Sequence, residues 1–189
     1  MTADPLHLDP LRPALGPDSS LENRIGTGPH VALDTGVPLR YDDLEPSTTY
    51  VDERFEYLTD DHAMPARVRG VLQLRTHDDA IRHPTAQAEI GRLATATGRW
   101  HGGHIVAVTL GGFASGPNVF PQSANFNQSA FARLEHGWRD ALRDDVAIGV
   151  DIALTEGPDF RVPEFVLVTY WEGQDLQDTI PLLNEPNAQ

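Results

Sequence analysis

Polar residues with catalytic chemistry are concentrated between His101 and Glu135, in the segment HGGHIVAVTLGGFASGPNVFPQSANFNQSAFARLE. His104 can accept a proton near neutral pH, and it follows two glycines, which predict a sharp backbone turn with room for a bulky ligand. His101, three residues upstream, is the rival histidine. Taken alone, His104 is better explained as a histidine satisfied within the core, so a catalytic role depends on its neighbours in the segment.

Three asparagines and one glutamate could complete a site for a hard cation. Asn118, Asn125 and Asn127 each offer a carbonyl oxygen, and Mg²⁺ takes oxygen ligands while keeping several waters. Asparagine also favours turns and helix N-caps, which is the preferred interpretation of Asn125. Glu135 lies about 12 Å along a helix axis from Asn127, too far to share one small ion but close enough to reach a metal-bound water. A solvated helix carboxylate explains Glu135 equally well.

The same segment predicts a strand, a loop and a helix. The apolar, β-branched run IVAVTL is bounded by glycines and predicts a short buried strand with His104 at its start. From Asn127 onward, an apolar stripe recurs at helical spacing and predicts an amphipathic helix, and it consists of Phe131, Leu134, Trp138 and Leu142. His104 and Asn127 could therefore face each other.

The flanking sequence predicts an α+β fold. TTYVDERFEYLT and ARVRGVLQLR alternate as antiparallel strands, and DVAIGVDIAL and PEFVLVTYW predict two more. Pro84 suits the first position of a short helix that Gly98 ends. We therefore expect a mainly antiparallel sheet around a central strand–loop–helix unit, with the helix packed on one face of the sheet.

Chain length and the distribution of proline predict one domain with an irregular N-terminal arm and a frayed C-terminal tail. The chain of 189 residues is large enough to bury most of an apolar core. Residues 1–46 hold seven of the 15 prolines and predict an irregular arm. We expect the domain to span residues 47–183, followed by a frayed tail over residues 184–189.

Composition excludes several classes of site. The chain has no cysteine, which removes disulfides, thiolate metal ligands and cysteine nucleophiles. All 14 basic residues are arginine, which removes lysine Schiff bases and the phosphate-loop lysine. A formal charge of −14 argues against a broad basic face for nucleic acid, so any binding of phosphate must be local.

Targeting signals are not recognisable in this sequence. No basic segment followed by an apolar run begins it, and no stretch approaches the roughly 18 apolar residues that span a bilayer. We therefore expect no membrane partner, and localisation stays open between the cytoplasm and export by a specialised secretion route.

The spacing of the polar residues carries a resemblance to a known family. The motif NVFPQ runs from Asn118 to Gln122, Asn127 follows Asn118 by nine residues, and QSAFARLE ends at Glu135 after another eight. With Gly103-His104 upstream, this pattern resembles the DNA/RNA non-specific endonuclease family of ββα-metal nucleases. The resemblance covers roughly Thr48 to Trp171 and is strongest to a subgroup found as toxin domains of bacterial polymorphic effectors.

The resemblance implies a ββα-metal core and a role for each matching residue. His104 would be the general base, Asn127 would hold a single Mg²⁺ ion (Mn²⁺ being the alternative), Glu135 would orient metal-bound waters, and Asn118 would help to position the site. Many family members carry Asp-Arg-Gly-His where this chain has His101-Gly102-Gly103-His104, so the motif lacks its arginine. The residues assigned to substrate binding are Gln122, Arg82 and Arg99, and Arg99 is also a candidate for catalysis.

The predicted function is that of a Mg²⁺-dependent, sugar-nonspecific endonuclease that hydrolyses phosphodiester bonds of DNA and RNA and leaves 5′-phosphate ends. The subgroup implies a bacterial toxin or effector with a cognate immunity protein as inhibitor. One alternative is an inactive binding module of the same fold, whose acidic surface recruits a basic protein. Another is a phosphodiesterase acting on small nucleotides. Oligomeric state and the preference between DNA and RNA stay open.

Overall fold

The computed structural model describes residues 26–34, 37–76, 84–94, 100–128 and 130–185. Within these ranges the strands are β1 (His30–Ala32), β2 (Thr49–Val51), β3 (Phe55–Thr59), β4 (Pro65–Val71), β5 (Trp100–His104), β6 (Val119–Ser123), β7 (Ile148–Leu154), β8 (Phe165–Glu172) and β9 (Asp175–Leu183). The helices are α1 (Pro84–Leu93), α2 (Ala124–Gln128) and α3 (Ala130–Arg143). Short 3₁₀ segments occupy Tyr41–Asp43, Val108–Leu110 and Gly116–Asn118.

Seven strands form one sheet in the order β1-β2-β3-β4-β7-β8-β9. The β1–β2 pair is parallel and the other pairs are antiparallel. The cross-strand register aligns the fully buried side chains of Tyr57, Val68, Ile152 and Val168 in one row on the core face. The predicted α+β class with a mainly antiparallel sheet is confirmed.

The strands predicted on either side of the central segment are present. TTYVDERFEYLT forms β2 and β3, which pair across the Asp52-Glu53 turn, and ARVRGVLQLR contributes β4. DVAIGVDIAL and PEFVLVTYW form β7 and β8. The predicted short helix is α1, and it begins at Pro84 as expected. Alternating apolar residues identified these strands because each places one face against the core.

The central segment forms a separate hairpin followed by two consecutive helices. β5 and β6 pair only with each other among the described strands, and α2 follows β6 directly. A row of aromatic contacts then connects β6 to the large sheet through Phe120, Phe126, Phe131, Trp138 and Tyr170. These contacts pack α3 on the core face, as its apolar stripe predicted. No helix in the described part of the chain is long and apolar enough to cross a bilayer.

The prediction of a strand over IVAVTL was wrong. β5 ends at His104 instead of starting there, and the apolar run continues as a buried loop with a 3₁₀ turn at Val108–Leu110. The carbonyl of Ala107 accepts the N–H groups of both Leu110 and Gly112, and Gly111 adopts a φ of 96°, so the chain turns instead of extending. The run is apolar because it is buried against the sheet, and periodicity does not separate that case from a strand.

Two strands at the edges of the sheet were not predicted. β1 lies within residues 1–46, which were expected to be irregular, and β9 follows β8 near the C-terminus. Pro181 weakened the pattern of β9, because proline cannot donate to a ladder. It is tolerated there because β9 has a neighbour on one side only in the described sheet.

The β2–β3 turn is held by a half-buried carboxylate whose ionisation should make stability depend on pH. Asp52 Oδ1 accepts the N–H groups of Arg54 and Phe55 at 2.8 and 2.7 Å. Burial raises the pKa of Asp52, and these two hydrogen bonds oppose the shift. A raised pKa in the folded state means that the associated stability is fully present below the ordinary aspartate pKa and is lost as pH rises through the raised value.

We therefore expect wild type to lose unfolding free energy relative to Asp52→Asn as the pH rises from the ordinary aspartate pKa of about 4 through the raised pKa of Asp52. The asparagine keeps a carbonyl oxygen for the two N–H groups but does not ionise. Urea denaturation of both proteins at several pH values measures the difference. A difference that is constant, or that shifts in favour of wild type with rising pH, would contradict the assignment.

Candidate active site

His104 is fixed by hydrogen bonds to both of its ring nitrogens. Its Nε2 lies 3.1 Å from the carbonyl oxygen of Ala114, and its Nδ1 lies 3.2 Å from Nε2 of Gln87 on α1. A carbonyl can only accept, so Nε2 carries the proton, and the Gln87 amide then donates to the lone pair of Nδ1. The half-buried ring is therefore held as the neutral tautomer whose basic atom is Nδ1.

His101 occupies a different environment. Its side chain is exposed, and its position three residues before His104 on β5 directs it to the opposite face of the strand. The structure therefore holds His104, and not its rival, against the loop that follows β5 and against α1.

The glycines of the HGGH motif allow close packing. A Cβ on Gly102 would lie 2.0 Å from the backbone oxygen of Gln87, and a Cβ on Gly103 would lie 2.0 Å from the side chain of Gln122. Both residues belong to the extended strand β5, so the expected sharp turn is absent. The space beside them is filled by α1 and by Gln122, and their small size places Gln87 next to His104.

Gly102→Ala is expected to destabilise the fold by about 1–3 kcal/mol, because α1 must move away from β5 to relieve the backbone overlap. The same movement withdraws Gln87 from His104 Nδ1. Gly137→Ala is the matched control, since a Cβ there meets no atom within 4 Å and alanine favours the helix by about 0.5–1 kcal/mol. Thermal melts of the two variants measure this, and equal stability would contradict the packing role of Gly102.

Gln122 supports the backbone of His104. Its side chain is 1% exposed, and its Nε2 donates to the carbonyl oxygen of His104 at 3.0 Å. Its Oε1 is buried without a hydrogen-bond partner among the described residues. An unpaired buried carbonyl oxygen is costly, so this atom is suited to receive a hydrogen bond from water or from a bound ligand.

Asn118 holds the two ends of the loop between β5 and β6 together. The side chain is fully buried, and its Oδ1 accepts the N–H of Val106 at 2.9 Å. Its Nδ2 donates to the carbonyl oxygens of Val106 and Phe113 at 2.8 and 2.6 Å. Because Phe113 precedes Ala114, Asn118 helps to fix the carbonyl that orients His104.

Glu135 is a half-buried carboxylate on α3 beside the same loop. Arg139 Nη2 lies 3.3 Å from Glu135 Oε2 and 3.2 Å from Thr109 Oγ1, so the pair touches the 3₁₀ turn after β5. Burial raises the pKa of Glu135, and the charge and hydrogen bond of Arg139 oppose the shift. Arg139 was not predicted, although its spacing of four residues from Glu135 was a usable signal for an ion pair.

Asn127 lies on α2, and that helix contacts both β5 and β6. The Oγ of Ser123, the last residue of β6, accepts the N–H of Phe126 at 3.1 Å and so fixes the start of the helix. The side chain of Asn127 lies outside the described part of the structure, as do the whole residues Arg82 and Arg99. The backbone thus brings the predicted metal ligand onto the helix next to the strand of His104.

One other group of potential metal ligands occurs among the described residues. Single atoms of Asp60, Asp61 and His62 lie within 4.8 Å of one another on the β3–β4 turn. Asp60 Oδ1 accepts the N–H groups of His62 and Met64, both at 2.8 Å, which is ordinary turn chemistry. This group belongs to the large sheet and not to the β5–β6–α2 unit.

Comparison with known proteins decides the family. The family model for DNA/RNA non-specific endonucleases matches residues 46–170. The chain belongs to the DNA/RNA non-specific endonuclease family. A search of curated proteins found no match.

The endonuclease match begins just before β2, ends within β8 and contains all of the central segment. The recognition made from Asn118, Asn127, Glu135 and His104 is thereby confirmed at the level of the family. Family membership supports nuclease activity and a nucleic acid substrate. The α+β architecture, with a hairpin followed by helices, is consistent with a ββα-metal fold.

Proposed function

We propose that the protein is a Mg²⁺-dependent endonuclease that hydrolyses phosphodiester bonds of DNA and RNA with little sequence preference, using His104 as general base. The observation that carries the proposal is the hydrogen bond between His104 Nε2 and the Ala114 carbonyl. It places the Nε2 proton, so that the neutral imidazole has its lone pair on Nδ1, within the segment that matches the endonuclease family.

The role of His104 is to remove a proton from the attacking water. Nδ1 accepts that proton as the water oxygen bonds to phosphorus, and the bond from phosphorus to the 3′ oxygen breaks, so the phosphate stays on the 5′ end. The Gln87 amide now occupies the position beside Nδ1, at 3.2 Å. Its side chain must therefore rotate away, or hydrogen-bond the water, when substrate binds.

The available donors fit a hard divalent cation. Asn127 offers an amide oxygen, the half-buried Glu135 offers a carboxylate, and the chain has no cysteine to favour a softer ion. In this proposal Asn127 is the direct ligand and Glu135 orients waters, with Mn²⁺ as the alternative ion. When bound, the cation neutralises charge on the phosphoryl oxygens and assists departure of the leaving oxygen.

Arg139 is a candidate for the positive charge that the HGGH motif lacks. Its guanidinium is held between Glu135 and Thr109, on the side of the loop that follows His104. Guanidinium binds phosphate through paired hydrogen bonds, and it needs no broad basic surface to do so. Arg82 and Arg99 remain the predicted contributors from outside the described residues.

Asn118 and Gln122 act in this proposal through position. Both side chains are buried, one fixing the loop and the other fixing the backbone of His104. This burial favours support of the base over the direct contact with substrate predicted for Gln122. The unpaired Oε1 of Gln122 keeps open a contact through water.

Analysis of the cleaved ends tests the proposal. Plasmid DNA and a long RNA are digested in low salt with Mg²⁺, and the products are tested for 5′-phosphate by end labelling before and after phosphatase treatment. We expect both substrates to be cut and labelling to require phosphatase. Products that carry 3′-phosphate, or cleavage of a chromogenic diester without cleavage of either polymer, would contradict the proposal.

The net charge of −14 favours a second candidate, an acidic module that binds a basic protein without turnover. Calorimetry with Mg²⁺ separates the two, since the module requires no metal binding and the nuclease does.

The resemblance to polymorphic toxins supports a role as an antibacterial effector with an immunity protein. We expect expression of the protein in bacteria to arrest growth, and expression of His104→Ala not to do so.

A further inference from the structure

A hydrogen-bonded pair, Asp52 in the β2–β3 turn and Tyr57 on β3, is connected by hydrogen bonds to the loop that orients His104. Tyr57 on β3 is fully buried, and its hydroxyl donates to Asp52 Oδ2 at 3.2 Å. The hydroxyl oxygen of Tyr57 also accepts the N–H of Phe113 at 2.8 Å. The hydroxyl therefore joins the β2–β3 turn to the loop between β5 and β6.

The direction of these bonds is fixed by the chemistry of the groups. The Phe113 N–H can only donate, so the Tyr57 oxygen is an acceptor there and its proton points to Asp52. Burial raises the pKa of Tyr57 well above its ordinary value, and the charge of Asp52 raises it further. The hydroxyl therefore keeps its proton over the whole working range of pH.

The next residue completes the connection to the base. The carbonyl of Phe113 accepts Nδ2 of Asn118 at 2.6 Å, and the carbonyl of Ala114 accepts His104 Nε2 at 3.1 Å. Both backbone groups of Phe113 are thus held, the N–H by Tyr57 and the carbonyl by Asn118. The carbonyl of the next residue, Ala114, is the one that sets the tautomer of His104.

We infer that Asp52 and Tyr57 are positioning residues, which hold the Ala114 carbonyl where it keeps the His104 proton on Nε2 and the lone pair on Nδ1. For its effect on catalysis the inference rests on the proposed role of His104. The sheet thereby controls the base through one tyrosine hydroxyl, although neither residue of the pair is hydrogen-bonded to the imidazole.

Tyr50 provides a matched control. It lies opposite Tyr57 in the register of β2 and β3, is 2% exposed, and its hydroxyl also accepts a backbone N–H, from Glu45 at 2.7 Å. That bond holds the chain just before β2 and not the loop after β5. Tyr50→Phe and Tyr57→Phe therefore remove the same kind of hydrogen bond from neighbouring strands.

The test combines ¹⁵N NMR of the His104 ring in metal-free protein with steady-state nuclease kinetics. Tyr57→Phe is expected to change the ring from one Nε2–H tautomer to a mixture and to lower kcat by about tenfold, with KM little changed. Tyr50→Phe should lose comparable thermal stability while keeping the wild-type ring signals and kcat. The ring signals that are absent from the spectrum of His104→Gln are assigned to His104.

The outcomes separate this inference from the proposed function. If Tyr57→Phe keeps the wild-type ring signals, the positioning role is wrong, whatever the kinetics show. If His104→Ala digests DNA as fast as wild type, the proposed function fails, and the ring signals of Tyr57→Phe still decide whether the pair positions the imidazole. Should Tyr57→Phe not fold, Asp52→Asn is the second variant, because it replaces the acceptor Oδ2 with an amide donor and so disturbs the orientation of the Tyr57 hydroxyl. Unchanged ring signals in that variant overturn the inference.

Discussion

Replacing His104 with alanine is expected to lower kcat by about 10²- to 10⁴-fold, the range for removal of a general base. The imidazole provides the basic Nδ1, and the groups on Gln87 and Ala114 that bond it are an amide and a carbonyl, which are not bases. KM should change little, because the lost interaction acts on the attacking water and not on the bound substrate. Initial rates of plasmid nicking at saturating Mg²⁺ measure the effect.

His101→Ala is the control for this variant. His101 is exposed and lies on the opposite face of β5, so its loss should leave kcat and stability near wild type. Circular dichroism must show both variants to be folded. Equal losses of activity in the two variants, or none in His104→Ala, would remove His104 from the role of base.

Asn118→Ala is expected to cost about 3 kcal/mol or more of unfolding free energy, because three buried backbone groups lose the side-chain partner that Asn118 gives them. These groups are the N–H and carbonyl of Val106 and the carbonyl of Phe113. The loop should loosen at the carbonyl that orients His104, so activity is expected to fall further than the loss of folded protein explains. Urea denaturation together with kcat per folded molecule measures both effects.

Asn125→Ala provides the comparison within the same asparagine cluster. Asn125 is exposed on α2, and its substitution should change stability by less than about 0.5 kcal/mol. If Asn118→Ala is no more costly than Asn125→Ala, then the hydrogen bonds of Asn118 do not hold the loop. Asn118→Asp separates the effect of side-chain shape from that of hydrogen bonding. Its carboxylate has nearly the same shape and keeps the Oδ1 acceptor, but it lacks the donors of Nδ2.

Much of the fold could be predicted because its strands alternate and its main helix is amphipathic. β3, β4, β7 and β8 each place one face against the core, and the stripe from Phe131 to Leu142 identified α3. The run after His104 was misassigned because its large apolar side chains are all buried in a loop, which leaves no period to detect. β9 was missed because of Pro181, which only an edge strand accepts.

Only those residues of the candidate site that belong to a motif of recognisable spacing could be predicted from the sequence. His104, Asn118, Asn127 and Glu135 lie in one segment, so their spacing was sufficient for recognition of the family. The groups that set the state of His104 are a carbonyl at Ala114 and an amide at Gln87, and neither belongs to a recognisable pattern. Contacts between distant parts of a chain, such as that of Tyr57 with Phe113, require the fold itself.

The glycines of HGGH show the same limit at closer range. Two glycines before a histidine suggested a turn with space for a ligand. In the structure, the space beside Gly102 is occupied by Gln87 and the space beside Gly103 by Gln122. A sequence shows that a side chain is small there, and only packing shows which neighbour needs the space. In the structure the two glycines pack against Gln87 and Gln122, and so support His104 instead of opening a ligand pocket.

Digestion of supercoiled plasmid and of RNA by the full chain, with Mg²⁺ or with EDTA, tests the central claim most directly. The account predicts that Mg²⁺ supports cleavage of both polymers, that EDTA abolishes it, and that added Mg²⁺ restores it, with Asn127→Ala requiring a higher Mg²⁺ concentration. Cleavage that persists in EDTA, or no cleavage of either polymer at any Mg²⁺ concentration, would contradict it.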